Sequence, residues 1–198
     1  MTQPRTPAPS LRIVVAGGLG SGKSTVAGLL AAKGAVAIEA DQIGHEVLAS
    51  GGAAFAPVAA RWPHVVVDGE IDRLLLAAVV FSDADQLEEL EAITHPAIGA
   101  EIVTRAHAAG DTPVVVELPV PAIVGPGWTW IVVVADPSER IARAVARGMA
   151  ELDAQRRISA QLSEAQWRAR ATHVIVNDGT RDQLQAKVDA LWEQLVAG

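Results

Sequence analysis

The feature that most constrains the fold of this chain is a glycine-rich segment, GGLGSGKS at residues 17 to 24, which fits the pattern G-x-x-x-x-G-K-[ST] of a phosphate-binding loop. The apolar run LRIVVA at residues 11 to 16 precedes it, and it predicts a buried parallel strand. TVAGLLAAK at residues 25 to 33 follows, with apolar residues at helical spacing. Strand, glycine loop and helix come in the order that the motif requires, which predicts an α/β nucleotide-binding core.

The residue types of this loop indicate its ligand. Glycines let the backbone curl so that successive N–H groups point inward, and the positive dipole end of the following helix faces the same concavity. Lys23 is expected to reach the β- and γ-phosphates, and the hydroxyl of Ser24 to take one coordination position on Mg²⁺. The pattern indicates a nucleoside triphosphate, ATP, with Mg²⁺. The predicted nucleotide contacts in this segment are Gly18, Gly20, Ser21, Gly22, Lys23, Ser24 and Thr25.

The overall composition argues against several other classes of protein. The formal net charge of -7 is unlike that of a general nucleic-acid binder or a protein of anionic membranes. The chain has no cysteines, which excludes disulfides, thiolate zinc sites and cysteine nucleophiles together. No apolar run approaches the roughly 18 residues of a membrane helix, and the N-terminus lacks a signal-peptide core. A cytoplasmic protein acting on a small molecule is expected, in an oligomeric state that the sequence does not indicate.

The chain divides into a leader, a core in two pieces and an insertion. Residues 1 to 10, with three prolines and no periodic pattern, are expected to be a flexible leader. Residues 11–43 and 110–198 are predicted to form the nucleotide-binding core, with a lid at about 140–170. Residues 44–109 have helical patterns interrupted at Gly51-Gly52 and by a turn at Asp68-Gly69. They are predicted to form a helical insertion that binds the acceptor substrate.

Two carboxylates follow predicted strands and are candidates for the chemistry. The second strand, near residues 35 to 38, ends in Glu39-Ala40-Asp41, at the edge of the sheet where ligands bind in open α/β folds. Asp41 is a candidate general base for an acceptor hydroxyl, but an N-cap for a helix opening at Gln42 explains it equally well. Glu117 ends the third predicted strand, residues 113 to 116, where a contact to Mg²⁺ through water is expected.

Arginines are concentrated in one part of this acidic chain. Seven arginines and three acidic residues lie between positions 140 and 170, a local balance of +4, so the remainder carries -11. Arg140, Arg143 and Arg147 fall at i, i+3 and i+7, on one face of a predicted helix. A solvated basic stripe is the usual explanation of such spacing. Beside a phosphate loop, a lid that closes over the phosphates is the alternative, with Arg147 and Arg157 as its candidates.

The remaining segments predict two more strands and two more helices. Residues 130 to 135 and 174 to 176 are predicted strands, and residues 181 to 196 a closing amphipathic helix with Trp192 in the core. Asp136, followed by proline and then by Glu139, is predicted to be a helix N-cap rather than a metal ligand.

Several separate segments together resemble the dephospho-coenzyme A kinase family. They run from Val15 to Gly179, and the EAD-x-I-x-H, IDR and HPAI segments are far more specific than the phosphate loop. The matching segments are GGLGSGKSTVA at 17 to 27, IEADQIGHEV at 38 to 47, DGEIDRLLLAAVVF at 68 to 81, LEAITHPAI at 90 to 98, RRISAQLS at 156 to 163 and VIVNDG at 174 to 179.

The resemblance implies a P-loop kinase fold of three layers, with a five-stranded parallel sheet in the order 2-3-1-4-5, a helical coenzyme A-binding insertion and a lid. It implies that ATP and Mg²⁺ are used to phosphorylate the 3′-hydroxyl of dephospho-coenzyme A. Asp41 matches the family's catalytic acid, which favours the general base over the cap. The resemblance implies catalytic roles for Asp41, Lys23 and Arg147, acceptor contacts from Asp41, His45, Arg73 and His95, and ATP contacts from Arg147, Arg157, Asn177 and Gly179.

The sequence departs from the family pattern at several positions. Glu39 and Glu117 stand where the family usually has aspartate, Thr172 replaces another aspartate, and Ile123 replaces a glutamate. Pro121 is an additional proline. These departures leave open a kinase with another small acceptor or a non-catalytic ATP-binding relative. A GTPase is disfavoured, because its Asn-Lys-x-Asp segment is missing: the only asparagine of the chain is Asn177, followed by Asp178.

Overall fold

The computed structural model describes residues 11–118 and 123–197. The predicted leader, residues 1 to 10, and the departure at Pro121 lie outside the described residues. The chain forms two compact units. Among the described residues, the first unit comprises residues 11–38, 106–118 and 126–197, and the second residues 39–105 and 123–125.

The secondary structure alternates between strands and helices. The strands are β1 Arg12–Ala16, β2 Val36–Ile38, β3 Val66–Val67, β4 Glu70–Ile71, β5 Val114–Leu118, β6 Thr129–Val134 and β7 His173–Val176. The helices are α1 Lys23–Ala32, α2 Ala40–Leu48, α3 Phe55–Arg61, α4 Arg73–Val80, α5 Ala84–Ala108, α6 Pro137–Ala146, α7 Glu151–Ser159, α8 Glu164–Arg168 and α9 Arg181–Ala197. A 3₁₀ turn at Pro63–Val65 precedes β3.

A five-stranded parallel sheet organises the first unit, in the order β2-β5-β1-β6-β7. Counting only the strands of this sheet, the order is 2-3-1-4-5, so the α/β fold and strand order are confirmed. Ala16 pairs with Leu118 on one side and Val132 on the other, so the segment after β1 leaves the carboxyl edge of the sheet. The phosphate loop therefore begins where parallel sheets bind their ligands.

The core of this unit is built from β-branched strand residues covered on both faces. Ile13, Val14 and Val15 are all fully buried, although successive side chains of a strand point to opposite faces. α1 and α9 cover one face through residues such as Leu30 and Val188. Trp192 packs against this cluster, as predicted. Fully burying such side chains contributes roughly 1.5–3 kcal/mol each, which makes the sheet a rigid support for the loop.

The second unit consists of helices and one short hairpin. Trp62 is 1% exposed and lies in a cluster with Val58, Val65 and Leu76, and its indole Nε1 donates to Gln86 at 2.8 Å. The predicted turn at Asp68-Gly69 is flanked by two short antiparallel strands that the prediction missed. Both turn residues have positive φ, 51° and 83°, which suits the twist of a tight hairpin.

α5 is continuous across Pro96, although proline in a helix interior commonly kinks or ends the helix. A proline inside a helix removes its own backbone donor and crowds the carbonyl four residues earlier, at a cost of about 3 kcal/mol that other contacts must offset. Leu87, Leu90 and Ile93, before the proline, pack against the Trp62 cluster, and Ile102, after it, is fully buried. This packing favours a single long helix over two short ones.

Candidate active site

The phosphate loop spans residues 17 to 22, between the end of β1 and the first residue of α1. Gly20 and Gly22 have φ of 74° and 96°, which other residues rarely adopt, and Gly22 directly precedes the helix. Lys23 and Ser24 are the first two residues of α1, and Thr25 is exposed in the same turn. Because the first N–H groups of a helix have no acceptor within it, this end of α1 presents donors for an anion.

Lys23, Ser24 and Glu117 form a polar cluster at the helix end. The Ser24 hydroxyl donates to Glu117 Oε1 at 3.0 Å, and Lys23 Nζ lies 3.6 Å from the same oxygen. The Lys23 and Glu117 side chains are 19% and 32% exposed. Glu117 lies within β5 and pairs with Val15, so the strand continues one residue beyond the predicted acid. The sheet therefore fixes the carboxylate beside the helix end.

This cluster has the donor chemistry that Mg²⁺ prefers. A hydroxyl and a carboxylate are hard oxygen ligands, and protein-bound Mg²⁺ commonly keeps one or two of them with substrate phosphates and water. Ser24 and Glu117 converge, so the two oxygens fit such a site. Within residues 11–118 and 123–197, no group of three or more His, Cys, Asp or Glu residues could hold a metal by itself.

Donors from outside the loop bind three consecutive loop carbonyls. Arg140 Nε donates to Leu19 O at 2.9 Å, Arg143 Nη1 to Gly20 O at 3.3 Å, and Asn177 Nδ2 to Ser21 O at 2.8 Å. Asn177 is 7% exposed, and its own carbonyl accepts from Arg143 Nη2 at 2.9 Å.

Two further side chains complete the surroundings of the loop. Gln161 Oε1 accepts from Leu19 N at 2.8 Å and from Arg140 Nη2 at 2.9 Å. Ser21, within the loop, is buried and lines a cavity of about 10 Å³ together with Gly18 and Trp167. Burial lowers the pKa of the Arg140 guanidinium, and the charge of Glu164 opposes this shift.

The sequence prediction missed the arginines that contact the loop. Arg147 directly follows α6 as its C-cap residue, is exposed, and donates from Nε to Arg143 O at 3.3 Å. Arg157 is exposed on α7. Arg143 and Arg140 lie one and two turns earlier than Arg147, respectively. The position of Arg140 and Arg143 in α6 could have identified them, because α6 begins just after the carboxyl end of β6 and its first turns are closest to the loop.

The segments beside the loop include one confirmed helix cap. Asp136 accepts from Ser138 N at 2.8 Å at the start of α6, and the hydrogen bonds from Ser138 lower the pKa of the Asp136 carboxyl. Glu139 does not complete a capping box, in which its side chain would accept from Asp136 N. It pairs with Arg143 at 3.3 Å, and Asp136 N donates to Asp178 at 2.7 Å instead. Gly179 is exposed in the segment that follows β7.

The predicted acceptor residues all lie in the helical unit. Asp41 is exposed in the first turn of α2, and His45 is exposed one turn later on the same face. α2 begins at Ala40 with Glu39 at the capping position, so the interpretation of Asp41 as an N-cap is wrong. Arg73 is exposed at the first position of α4. His95 is half-buried in α5.

The sheet order, the loop after β1 and the acid in β5 define a nucleotide-binding protein of the P-loop kinase class. Within that class, the family model described as dephospho-CoA kinase matches residues 11–183. The chain belongs to the dephospho-CoA kinase family.

Curated relatives of the chain carry the name dephospho-CoA kinase. The relative from Thermobifida fusca is 39% identical over 192 residues, covering 93% of this chain and 96% of its own length. The relative from Streptomyces avermitilis is 40% identical over 195 residues, covering 94% of each chain. The similarity therefore extends over both units.

Solved structures share the fold. The structure of TT1252 from Thermus thermophilus has a TM-score of 0.73 and 31% identity, covering 95% of this chain and 99% of its own. Dephospho-CoA kinase from Campylobacter jejuni has a TM-score of 0.64 at 20% identity, covering 96% of this chain and 100% of its own. At that identity, the second comparison supports the fold alone.

Proposed function

We propose that this protein transfers the γ-phosphoryl group of ATP to the 3′-hydroxyl of dephospho-coenzyme A, producing coenzyme A and ADP in the last step of coenzyme A biosynthesis. The observation that carries the proposal is the family match over residues 11–183, which includes the phosphate loop and the helical unit. We place the reaction in the cytoplasm. Within the described residues, no helix is long and apolar enough to cross a bilayer.

The donor side of the proposed reaction uses the phosphate loop and the first turn of α1. The N–H groups of the loop and helix bind the polyphosphate, and the Lys23 ammonium neutralises charge on the β- and γ-phosphates. The 3.6 Å separation of Lys23 from Glu117 supports this role, because the carboxylate holds the ammonium near the helix end before ATP arrives. Positioning and electrostatic stabilisation supply most of the catalysis in phosphoryl transfer.

We assign the Mg²⁺ site to Ser24, directly, and to Glu117, through water. When bound, the ion would neutralise charge on the phosphate oxygens. The 3.0 Å hydrogen bond between the two side chains supports the assignment, because it keeps both oxygens on the same side of the helix end. Glutamate in place of the family's aspartate suits this arrangement, since its longer side chain reaches Ser24 from within β5.

On the acceptor side, we assign Asp41 as the general base that orients the 3′-hydroxyl and accepts its proton. Its exposure and its freedom from a capping role support the assignment. His45, on the same face of α2, and Arg73 and His95 are proposed contacts of dephospho-coenzyme A. The helical unit is thus the proposed acceptor module. A cationic Arg73 suits the phosphate groups of this acceptor.

On the nucleotide side, Asn177 and Gly179 are proposed to border the adenine, and Arg147 and Arg157 to act as lid arginines over the phosphates. The exposure of both arginines supports this role, because their guanidinium groups are accessible to a ligand. Arg147 would stabilise the charge of the transferring group.

The test is an assay of purified protein with ATP, Mg²⁺ and dephospho-coenzyme A, in which ADP release is followed. ADP formation that requires both the acceptor and Mg²⁺, and that stops with EDTA, is the expected result. Adenosine, a free nucleotide and pantetheine serve as alternative acceptors, compared by kcat/KM. If ADP release with dephospho-coenzyme A stays at the level without acceptor, or if another acceptor has the higher kcat/KM, the proposal is wrong.

A further inference from the structure

We propose that Arg140 and Gln161 are positioning residues that hold the tip of the phosphate loop in its nucleotide-binding conformation. The inference rests on the proposed function only in taking an adenine nucleotide as the ligand. It assigns to these two side chains a task on the outer surface of the loop, away from the nucleotide.

The observation is a closed ring of hydrogen bonds around Leu19. Leu19 N donates to Gln161 Oε1 at 2.8 Å, Arg140 Nη2 donates to the same oxygen at 2.9 Å, and Arg140 Nε donates to Leu19 O at 2.9 Å. The backbone donor and acceptor of the loop tip are thus both satisfied by side chains from distant parts of the chain. One is in α6, and the other follows α7.

Close packing keeps this ring in one geometry. A Cβ on Gly18 would lie 2.2 Å from Arg140 Nη2, and a Cβ on Gly20 would lie 2.3 Å from the backbone oxygen of Arg140. Both glycines therefore allow α6 to contact the loop directly. A loop held this closely has few alternative conformations, so nucleotide binding orders it less and costs less conformational entropy.

The direction of the carbonyls explains why an outer contact affects the nucleotide side. A trans peptide is planar, with its C=O and the following N–H pointing in opposite directions. Arg140 binds Leu19 O and Asn177 binds Ser21 O, so the N–H groups of Gly20 and Gly22 are directed to the other side of the chain. Holding the carbonyls outward therefore orients donors for phosphate before the ligand arrives.

The chemistry of the ring predicts that glutamate can replace Gln161 without loss of nucleotide binding, whereas leucine cannot. Both of its partners are donors, so only its oxygen is used, and Gln161→Glu keeps the acceptor that Leu19 N and Arg140 require. Gln161→Leu has a similar size without an acceptor. A side chain that instead donated its amide protons to the nucleotide would lose binding in both variants.

The experiment measures the Kd of ADP by titration calorimetry without acceptor, together with the Tm of the ligand-free protein. We expect Arg140→Met and Gln161→Leu each to weaken ADP binding about tenfold, on the scale of one or two lost hydrogen bonds. The double variant should lose little more than either single one, because the ring is broken once. Gln161→Glu should stay within about twofold of the wild type.

Matched controls come from the same part of the chain. Gln155 donates to Glu151 at 3.2 Å on α7, and Arg168 donates to Glu164 at 2.7 Å on α8. Both pairs are exposed i,i+4 contacts. Gln155→Leu and Arg168→Met should leave the Kd of ADP unchanged. In turnover assays, the ring variants should raise the KM for ATP more than they lower kcat.

Several results would overturn the proposal. Equal losses in Gln161→Glu and Gln161→Leu would indicate contact with the nucleotide, and fully additive losses in the double variant would exclude a ring. A lower Tm of the ring variants with an unchanged Kd of ADP would show that both residues have only a structural role. Wild-type protein that binds ADP but does not phosphorylate dephospho-coenzyme A would contradict the proposed function alone. Protein that binds neither ADP nor ATP would contradict both.

Discussion

Gly22 and Asn177 meet at the start of α1, and their contact predicts non-additive effects on stability. A Cβ on Gly22 would lie 2.3 Å from Asn177 Nδ2, the atom that donates to Ser21 O at 2.8 Å. Apart from adjacent residues of the chain, the next atom near this Cβ is Asn177 Cγ at 3.5 Å. Gly22→Ala must therefore displace the amide and break its hydrogen bond, in addition to placing alanine at a φ of 96°.

The magnitudes follow from these two costs. Alanine in a left-handed conformation costs about 1–2 kcal/mol. Losing a buried hydrogen bond while leaving Ser21 O unsatisfied costs about 1–3 kcal/mol. Gly22→Ala should then cost about 2–5 kcal/mol and Asn177→Ala about 1–3 kcal/mol. In the double variant the hydrogen bond is lost only once, so the cost should be about 2–5 kcal/mol rather than the sum of about 3–8 kcal/mol.

Thermal unfolding of the four proteins, followed by circular dichroism, measures this coupling. For a chain of this size, about 1–3 kcal/mol corresponds to a Tm about 2–12 °C higher than the additive expectation. Gly20→Ala is the matched control, because its Cβ would meet the backbone oxygen of Arg140 at 2.3 Å, which no truncation of Asn177 removes. The reasoning would be refuted if the stability losses of Gly22→Ala and Asn177→Ala were additive. It would also be refuted if Asn177→Ala reduced the cost of Gly20→Ala as much as it reduces the cost of Gly22→Ala.

Three further predictions test other parts of the molecule. Asp41→Asn should keep the Kd of ATP within about twofold and lower kcat by 10²-fold or more, on the order of a lost general base, and surviving turnover would exclude that role. Trp62→Ala should destabilise the helical unit by about 3–5 kcal/mol in thermal unfolding, since the indole is buried, and a loss below about 1 kcal/mol would contradict its place in the core. Lys33 Nζ lies 2.6 Å from Asp189 and lowers the pKa of that carboxyl, so this pair stabilises the protein above the ordinary pKa of 3.8 and less as pH falls through the lowered value. Asp189→Asn should accordingly lower Tm more at neutral pH than near pH 3, and a decrease in Tm that is constant with pH would contradict the prediction.

The features that could be predicted from the sequence depend on local patterns. The central parallel strands β1, β5 and β6 are runs of valine and isoleucine, and their burial on both faces leaves little choice of secondary structure. The phosphate-loop motif predicts β1 before it and α1 after it, because its glycines and Lys23 bind phosphate together in the turn between a strand and a helix. The strand order came from the family resemblance, since strand neighbours depend on contacts between distant residues.

The features that could not be predicted depend on distances in three dimensions. Arg140, Arg143 and Arg147 share one face of α6, and only the path of the chain from β6 decides which of them reach the loop. Gln161 is one exposed glutamine among several, and only its hydrogen bond from Leu19 N indicates its role. The prediction of an N-cap at Asp41 is wrong because α2 begins at Ala40, two residues earlier than the Gln42 start that this cap requires.

The arginine-rich segment separates into two groups with different physical roles. Arg140 and Arg143 hold loop carbonyls through directed hydrogen bonds, whereas Arg147 and Arg157 are exposed. Interactions between exposed charges weaken as salt screens them, while partly buried hydrogen bonds respond little. Raising the ionic strength from about 0.05 to about 0.5 M should therefore narrow the difference in ATP affinity between wild type and Arg157→Met. The difference caused by Arg140→Met should persist. If salt reduced both differences equally, the two arginines would act by charge alone, and the division into two groups would fail.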